Sequence, residues 1–158
     1  MTMHQLRSLP LLVLLAVLTA SCLDNSPFVP QIDNTTFDPS LGVDLAASTK
    51  TASGLYYRDI IVGPGAEVPA TGTTAVTTTY SLYLRNGDLV ESGTYPFTVG
   101  STGADGAIAG YDEGVRGMHV GGTRQLIVPP SLGYGAQSQA GIPKNSILVF
   151  TVLLTSIP

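Results

Sequence analysis

Between Ala75 and Arg85, apolar and polar side chains alternate along the chain. Five residues would share one face of such a strand: Val76, Thr78, Tyr80, Leu82 and Leu84. A period of two residues is the period of a β-strand with one buried face, and it excludes an amphipathic helix. Asn86 and Gly87 follow at once, and Asn-Gly is the strongest short-range signal for a two-residue hairpin turn. The sequence therefore predicts an antiparallel hairpin that returns along Leu89–Ser92.

The rest of the C-terminal two thirds of the chain is also rich in strand patterns. Further strands are predicted at Leu55–Val62, Tyr95–Val99, Thr123–Val128 and Ile147–Leu154. The helix candidate is Ile108–Met118, in which Ile108, Tyr111 and Val115 have the spacing of one buried face. Its glycines make it a poor helix in isolation, so packing against the sheet must stabilise it. These elements predict an α+β fold, in which an antiparallel sheet wraps over one short helix.

The N-terminus has the pattern of an export signal. Arg7 supplies a positive charge, and Leu9–Leu18 forms an apolar region that is too short to span a bilayer comfortably. Small residues precede Cys22, the one cysteine of the chain, in a pattern that resembles a bacterial lipobox. The resemblance implies a signal peptide at residues 1–21 and a lipid anchor on Cys22. The alternative is an ordinary secreted protein with a free cysteine near its N-terminus.

The lipobox also implies a location. Leu23 follows Cys22, whereas an aspartate at that position is an inner-membrane retention signal in some bacteria. We therefore expect a lipid-anchored protein of the bacterial cell envelope, in the outer membrane and facing the periplasm or the exterior.

Residues 22–52 are expected to form a flexible acidic tether. Prolines and acidic residues are frequent in this segment, Lys50 is the single counter-charge, and no clean hydrophobic period is present. The alternative is a partner-binding arm that uses Phe28, Ile32 and Phe37 as anchors. Residues 53–158 then form the folded domain, and the absence of a long heptad region favours a monomer.

The composition argues against several classes of chemistry. His119 is the one histidine after the signal peptide, so neither a catalytic triad nor a His/Cys metal site is supported. The segment Gly100–Gly106 lacks the Lys-Ser/Thr ending of a phosphate-binding loop. The net charge is −4 and no basic cluster exists, which argues against a nucleic-acid partner. No cofactor or metal is therefore expected.

Several short motifs occur in order between Glu113 and Phe150, namely EGVRGM, VGG, LGYGA, GIP and LVF. The ordered set resembles the FKBP-type peptidyl-prolyl cis-trans isomerases, and the resemblance extends from Ser53 to Ile157, about two thirds of the chain. It implies an FKBP-like curved antiparallel β-sheet wrapped around one short α-helix. It also implies isomerisation of X-Pro bonds in exported polypeptides, a reaction that needs no nucleophile.

The resemblance also implies a set of site residues. The substrate-binding pocket would be formed by Tyr80, Val90, Phe97, Ala107, Ile108, Tyr111, Tyr134, Ile142 and Phe150. The catalytic groups would be Tyr80, Glu91, the backbone N–H of Ile108 and the hydroxyl of Tyr134. Tyr111 would form the pocket floor, where many relatives carry tryptophan.

Val90 and Glu91 depart from the Phe-Asp pair that is common in the family. The change removes one aromatic wall of the pocket and carries the carboxylate one methylene further, so its hydrogen bond to Tyr80 would need adjustment. Two other functions therefore stay open beside isomerisation. One is an FKBP-like chaperone or protein-binding lipoprotein with little isomerase activity. The other is a structural envelope lipoprotein.

Overall fold

The computed structural model describes residues 28–101 and 106–158, which form a six-stranded antiparallel sheet and one α-helix. The strands are β1 Thr49–Lys50, β2 Tyr56–Ile61, β3 Thr74–Leu84, β4 Leu89–Val99, β5 Thr123–Val128 and β6 Leu148–Ser156, and the helix is α1 Ala109–Val115. The strand order across the sheet is β1-β2-β5-β6-β3-β4. The predicted α+β fold is confirmed. The predicted signal peptide and Cys22 lie outside the described residues, and no helix within these residues is long and apolar enough to cross a membrane.

Alternate residues of β3 are buried on one face of the sheet, as the period of two predicts. Val76, Thr78 and Leu82 are buried on the inner face of the sheet, the face that carries α1. In β6, the predicted inner residues are buried as well: Leu148, Phe150, Val152 and Leu154. The inner faces of β3, β5 and β6 therefore form the main core together with α1.

β4 is one continuous strand of eleven residues, where the sequence predicted two short strands. β4 pairs with β3 without interruption, from the cross-strand pair of Thr74 and Val99 to the pair of Leu82 and Glu91. Pro96 lies inside β4 and lacks a backbone N–H, but β4 is an edge strand, where this loss is tolerated. A register shift at the next pair makes Val90 a bulge residue.

Helix α1 is shorter than predicted, because Arg116 is already extended and Gly117 adopts a left-handed conformation with φ 71°. The glycines inside the helix have a packing role. A Cβ atom at Gly110 would lie 2.5 Å from Val128 Cγ1, and one at Gly114 would lie 2.6 Å from Leu126 Cδ1. These glycines let the helix backbone lie directly on β5.

Arg124 of β5 fastens the end of this helix to the sheet. Its Nη1 atom donates to the carbonyl oxygens of Gly114 at 3.0 Å and Arg116 at 2.8 Å, and Nη2 donates to Gly117 O at 3.4 Å. Nε and Nη2 also donate to the two carboxylate oxygens of Asp59, at 2.7 and 3.0 Å. All five N–H groups of the guanidinium are thus used.

The described part of the predicted tether, residues 28–52, is packed against the outer face of the sheet. The buried residues of this second hydrophobic cluster are Ile32, Tyr56, Ile127, Ile147 and Val149. Partly buried residues around them are Phe37, Leu41, Val43, Leu45 and Tyr83. The expectation of a flexible tether is therefore wrong for residues 28–52, because their scattered apolar side chains cover the outward-facing residues of β2, β5 and β6.

Polar contacts hold the same segment in register. Gln125 Nε2 donates to Leu41 O at 2.7 Å, and the Asp38 N–H donates to Arg85 O at 2.8 Å. Lys50, in β1, forms an ion pair with Asp33 at 2.7 Å. Ile32 and Phe37, two of the three anchors of the alternative partner-binding arm, contact the chain's own sheet.

Candidate active site

A cavity of about 460 Å³ opens on the inner face of the sheet, beside the start of α1. Its walls come from β3, β4, β6, α1 and the loops before α1 and β6. The lining residues are Tyr80, Leu82, Glu91, Tyr95, Gly106, Ala107, Ile108, Tyr111, Tyr134, Gln139 and Phe150. Glu91 is the one charged residue among them. The cavity is therefore walled mainly by aromatic rings, with polar groups at defined places along its surface.

Tyr111 is the centre of the aromatic cluster. Its ring centroid lies 5.2 Å from Phe150, 5.6 Å from Phe97 and 5.9 Å from Tyr80, with interplanar angles of 62 to 76°. These are edge-to-face contacts, which the quadrupoles of aromatic rings favour. The rings thus pack against one another and form a continuous aromatic wall.

The hydroxyl of Tyr111 is hydrogen-bonded to Thr78 of β3. Thr78 Oγ1 donates to Tyr95 O at 3.2 Å and lies 2.8 Å from Tyr111 Oη. Because Thr78 has one proton to give, Tyr111 is the donor in the second bond. Burial raises the pKa of Tyr111 well above its usual value. The predicted floor position is therefore occupied by a ring whose polar end is already satisfied.

Tyr80 and Glu91 form the polar edge of the cavity. Tyr80 Oη donates to Glu91 Oε1 at 2.6 Å, so the longer glutamate side chain reaches its predicted partner. Burial, followed by this hydrogen bond, raises the pKa of Tyr80 well above its usual value. Burial and then the charge of Glu91 also raise the pKa of Tyr134. Both hydroxyls stay protonated near neutral pH and can act as donors.

Two donors of lining residues have no hydrogen-bond partner among the described residues. One is the hydroxyl of Tyr134, in the loop after β5. The other is the backbone N–H of Ile108, the N-cap residue of α1. The carbonyl oxygen of Ile108 accepts hydrogen bonds from the backbone N–H groups of Tyr111 and Asp112. A carbonyl oxygen bound in the cavity could accept a hydrogen bond from either group.

Most of the predicted site residues come together in this cavity. Those that line it are Tyr80, Glu91, Ala107, Ile108, Tyr111, Tyr134 and Phe150. Val90, Phe97 and Ile142 belong to the same hydrophobic cluster but do not line the cavity itself. Phe97 stacks on Tyr95 at 5.1 Å and supports it from behind. The roles assigned to the individual residues stay predictions.

Sequence reasoning missed four lining residues, Leu82, Tyr95, Gly106 and Gln139. Tyr95 is the most informative of them, because it has the same parity along β4 as Glu91 and Phe97. A single strand through Gly93 and Thr94 would have placed all three on one face. Gln139 had no comparable signal, since its place depends on backbone bonds with Ile142, each 3.0 Å long.

The fold and this site define a class of protein. The sheet and helix match solved structures of FKBP-type proteins over 70% of the chain. For AtFKBP13, the TM-score is 0.61 with 26% identity, and the match covers 98% of that chain. For FkpA from Escherichia coli, the TM-score is 0.60 with 32% identity, and the match covers 51% of that chain.

A family model gives the assignment. The model of the FKBP-type peptidyl-prolyl cis-trans isomerases matches residues 66–155, which is more than half of the chain. The chain belongs to this family. The match contains the whole of the cavity lining.

Curated relatives agree with this assignment. FK506-binding protein 3 of Candida albicans is 40% identical over 112 residues, which are 69% of this chain and 26% of that protein. The chloroplastic peptidyl-prolyl cis-trans isomerase FKBP16-4 of Arabidopsis thaliana is 39% identical over 116 residues, which are 69% of this chain and 50% of that protein. The chain thus spans half or less of the length of these relatives.

Proposed function

We propose that this protein is a peptidyl-prolyl cis-trans isomerase that acts on X-Pro bonds of polypeptides. The observation that carries the proposal is the aromatic cavity, whose walls suit a proline ring and whose lining residues offer two donors without a partner among residues 28–101 and 106–158, the hydroxyl of Tyr134 and the N–H of Ile108. Membership of the isomerase family supports it.

The cavity's chemistry suits this reaction. Rotation about an X-Pro bond breaks amide resonance, and the barrier of a peptide bond is about 18–20 kcal/mol. The twisted amide has less charge separation than the planar one, so a cavity walled by aromatic rings stabilises it relative to the planar ground state. The Ile108 N–H and the Tyr134 hydroxyl can hold neighbouring carbonyl groups while the bond turns. Tyr111, Phe150 and Tyr80 would enclose the proline ring.

Turnover of X-Pro peptides tests this proposal. We expect the double variant Tyr134→Phe, Phe150→Ala to lose about 100-fold of the acceleration of cis-to-trans isomerisation, because it removes a donor and an aromatic wall. Far- and near-UV circular dichroism must show that the variant is folded, and Tyr134→Phe alone keeps the ring as a milder test. Tyr83→Phe, on the outer face of the sheet, is the matched control and should keep full activity.

A second function is supported by one specific observation. Val90 stands where an aromatic wall is common in the family, and it does not line the cavity. A domain with this more open cavity could bind unfolded chains without appreciable catalysis. Absence of acceleration by the unmodified protein, together with binding of an unfolded client, would replace the isomerase proposal with this one.

We further propose that the protein is anchored to a membrane of a bacterial cell envelope through a lipid on Cys22. The sequence pattern of residues 1–21 motivates this location. The packed segment limits the distance to the membrane: Ile32, its first buried residue, is the tenth residue after Cys22, so the chain can span at most about 36 Å between the two. The domain would then work close to the membrane surface.

Membrane fractionation tests the anchor. Cys22→Ser should move the protein from the membrane fraction to the soluble fraction, because the thiol that would carry the lipid is lost. Ser26→Ala is the control and should leave the distribution unchanged. Equal membrane association of Cys22→Ser and the unmodified protein would exclude a lipid at this position.

A further inference from the structure

Glu91 has an unusual place for a charged residue, because it lines an otherwise uncharged cavity. The bulge at Val90 precedes it in β4, and Glu91 pairs directly with Leu82 on the inner face. Its Oε1 atom is held by the Tyr80 hydroxyl at 2.6 Å, which fixes the side chain at the cavity edge. The side chain is otherwise exposed, so a bound peptide can reach the carboxylate.

No cation neutralises this carboxylate within residues 28–101 and 106–158. The cationic side chains with acidic partners are Lys50, Arg116 and Arg124, whose partners are Asp33, Asp112 and Asp59. Arg58 donates to the carbonyl oxygen of Gly42, and Arg85 and Lys144 line a different cavity. Residues 102–105, which precede Gly106, contain neither lysine nor arginine in their sequence.

The charge of Glu91 acts across the cavity. Tyr134 belongs to the opposite loop and makes no hydrogen bond with Glu91, yet the carboxylate contributes, after burial, to the raised pKa of its hydroxyl. The same negative potential would lower the energy of a cationic group of a bound peptide. The remaining lining residues add no charge that would cancel this potential.

We propose that Glu91 is a specificity-determining residue, which makes the cavity prefer X-Pro peptides with lysine or arginine next to the proline over those with aspartate or glutamate. The inference rests on the proposed isomerase function and names its substrate class. A proline ring enclosed by Tyr111 and Phe150 leaves the preceding residue at the cavity edge. A long, flexible cationic side chain can reach Glu91 from there, whereas an acidic one is repelled.

A peptide series with the purified full chain tests this proposal. The residue before proline is lysine, its uncharged analogue norleucine, leucine or glutamate, and kcat/KM is measured at low and high salt. At low salt we expect about a 3- to 10-fold preference for lysine over norleucine, and a comparable penalty for glutamate. The preference should shrink in about 1 M salt, where the Debye length is about 3 Å.

Two variants separate the charge from its surroundings. Glu91→Gln keeps an acceptor for Tyr80 but removes the charge, so the lysine-to-norleucine ratio should fall to about one. Glu67→Gln removes a surface carboxylate that lies beside His119 and outside the cavity lining, and it should leave the ratio unchanged. A ratio that is the same in Glu91→Gln and the unmodified protein would overturn the proposal.

The leucine peptide distinguishes this inference from the proposed function. If it is turned over and no charge preference appears, the specificity proposal fails while the isomerase proposal stands. If no peptide is turned over, the isomerase proposal fails, and the relative affinities of the lysine and glutamate peptides decide the role of Glu91. Tighter binding of the lysine peptide that is lost in Glu91→Gln would support it, and equal binding would overturn it.

Discussion

Replacing Arg124 by methionine is expected to lower the free energy of unfolding by about 1–3 kcal/mol, the usual cost of leaving a buried hydrogen-bonding group without its partner. Arg124 is only 5% exposed and uses all five of its N–H groups. Methionine fills much of the same space but leaves the Asp59 carboxylate without its partner. It also leaves carbonyl groups at the end of α1 without donors, and such buried groups are costly.

Matched variants show which property of Arg124 is needed. Arg124→Lys keeps the positive charge, but one ammonium group cannot reach both Asp59 and the end of α1, so we expect an intermediate loss. Lys50→Met breaks an exposed ion pair and should cost no more than about 1 kcal/mol. Urea denaturation followed by circular dichroism measures all three. Equal midpoints for Arg124→Met and Lys50→Met would contradict the structural role of Arg124.

Ile32→Ala is expected to cost about 2–5 kcal/mol of stability, the usual range for truncation of a fully buried isoleucine. Ile32 is 4% exposed and lies against Tyr56, Ile127 and Val149 on the outer face of the sheet. The alanine variant would leave a cavity between residues 28–52 and the sheet. Phe28, in the same segment, is 84% exposed, so Phe28→Ala should change stability by less than about 0.5 kcal/mol.

This pair of variants decides how the segment behaves in solution. A flexible tether or a free partner-binding arm predicts that Ile32→Ala and Phe28→Ala have equally small effects. The packed segment predicts a large difference in the urea midpoint. A chain that begins at Ser53 provides a second measurement, because it exposes Ile127 and Val149 and should unfold at lower urea concentration and aggregate.

The site itself was predictable to different degrees for different residues. The alternation in β3 places Tyr80 on the inner face of the sheet, but the assignment of Tyr80, Tyr111 and Phe150 to the site came from the family resemblance. Tyr95 was missed because Gly93 looks like a break between two short strands, which hid that Tyr95 shares a face with Glu91. Uninterrupted pairing with β3 overrides these local preferences at the sheet edge.

The sequence by itself determined the class of fold, because alternation and turn residues act between neighbours in the chain. The tertiary structure alone decided which polar groups pair and what covers the outer face. Arg124 and Asp59 are 65 residues apart, and Gln125 and Leu41 are 84 residues apart. Such contacts leave no local period in the sequence. They form only when the strands are in register. For the same reason, residues 28–52 complete the second core although their composition is that of a flexible tether.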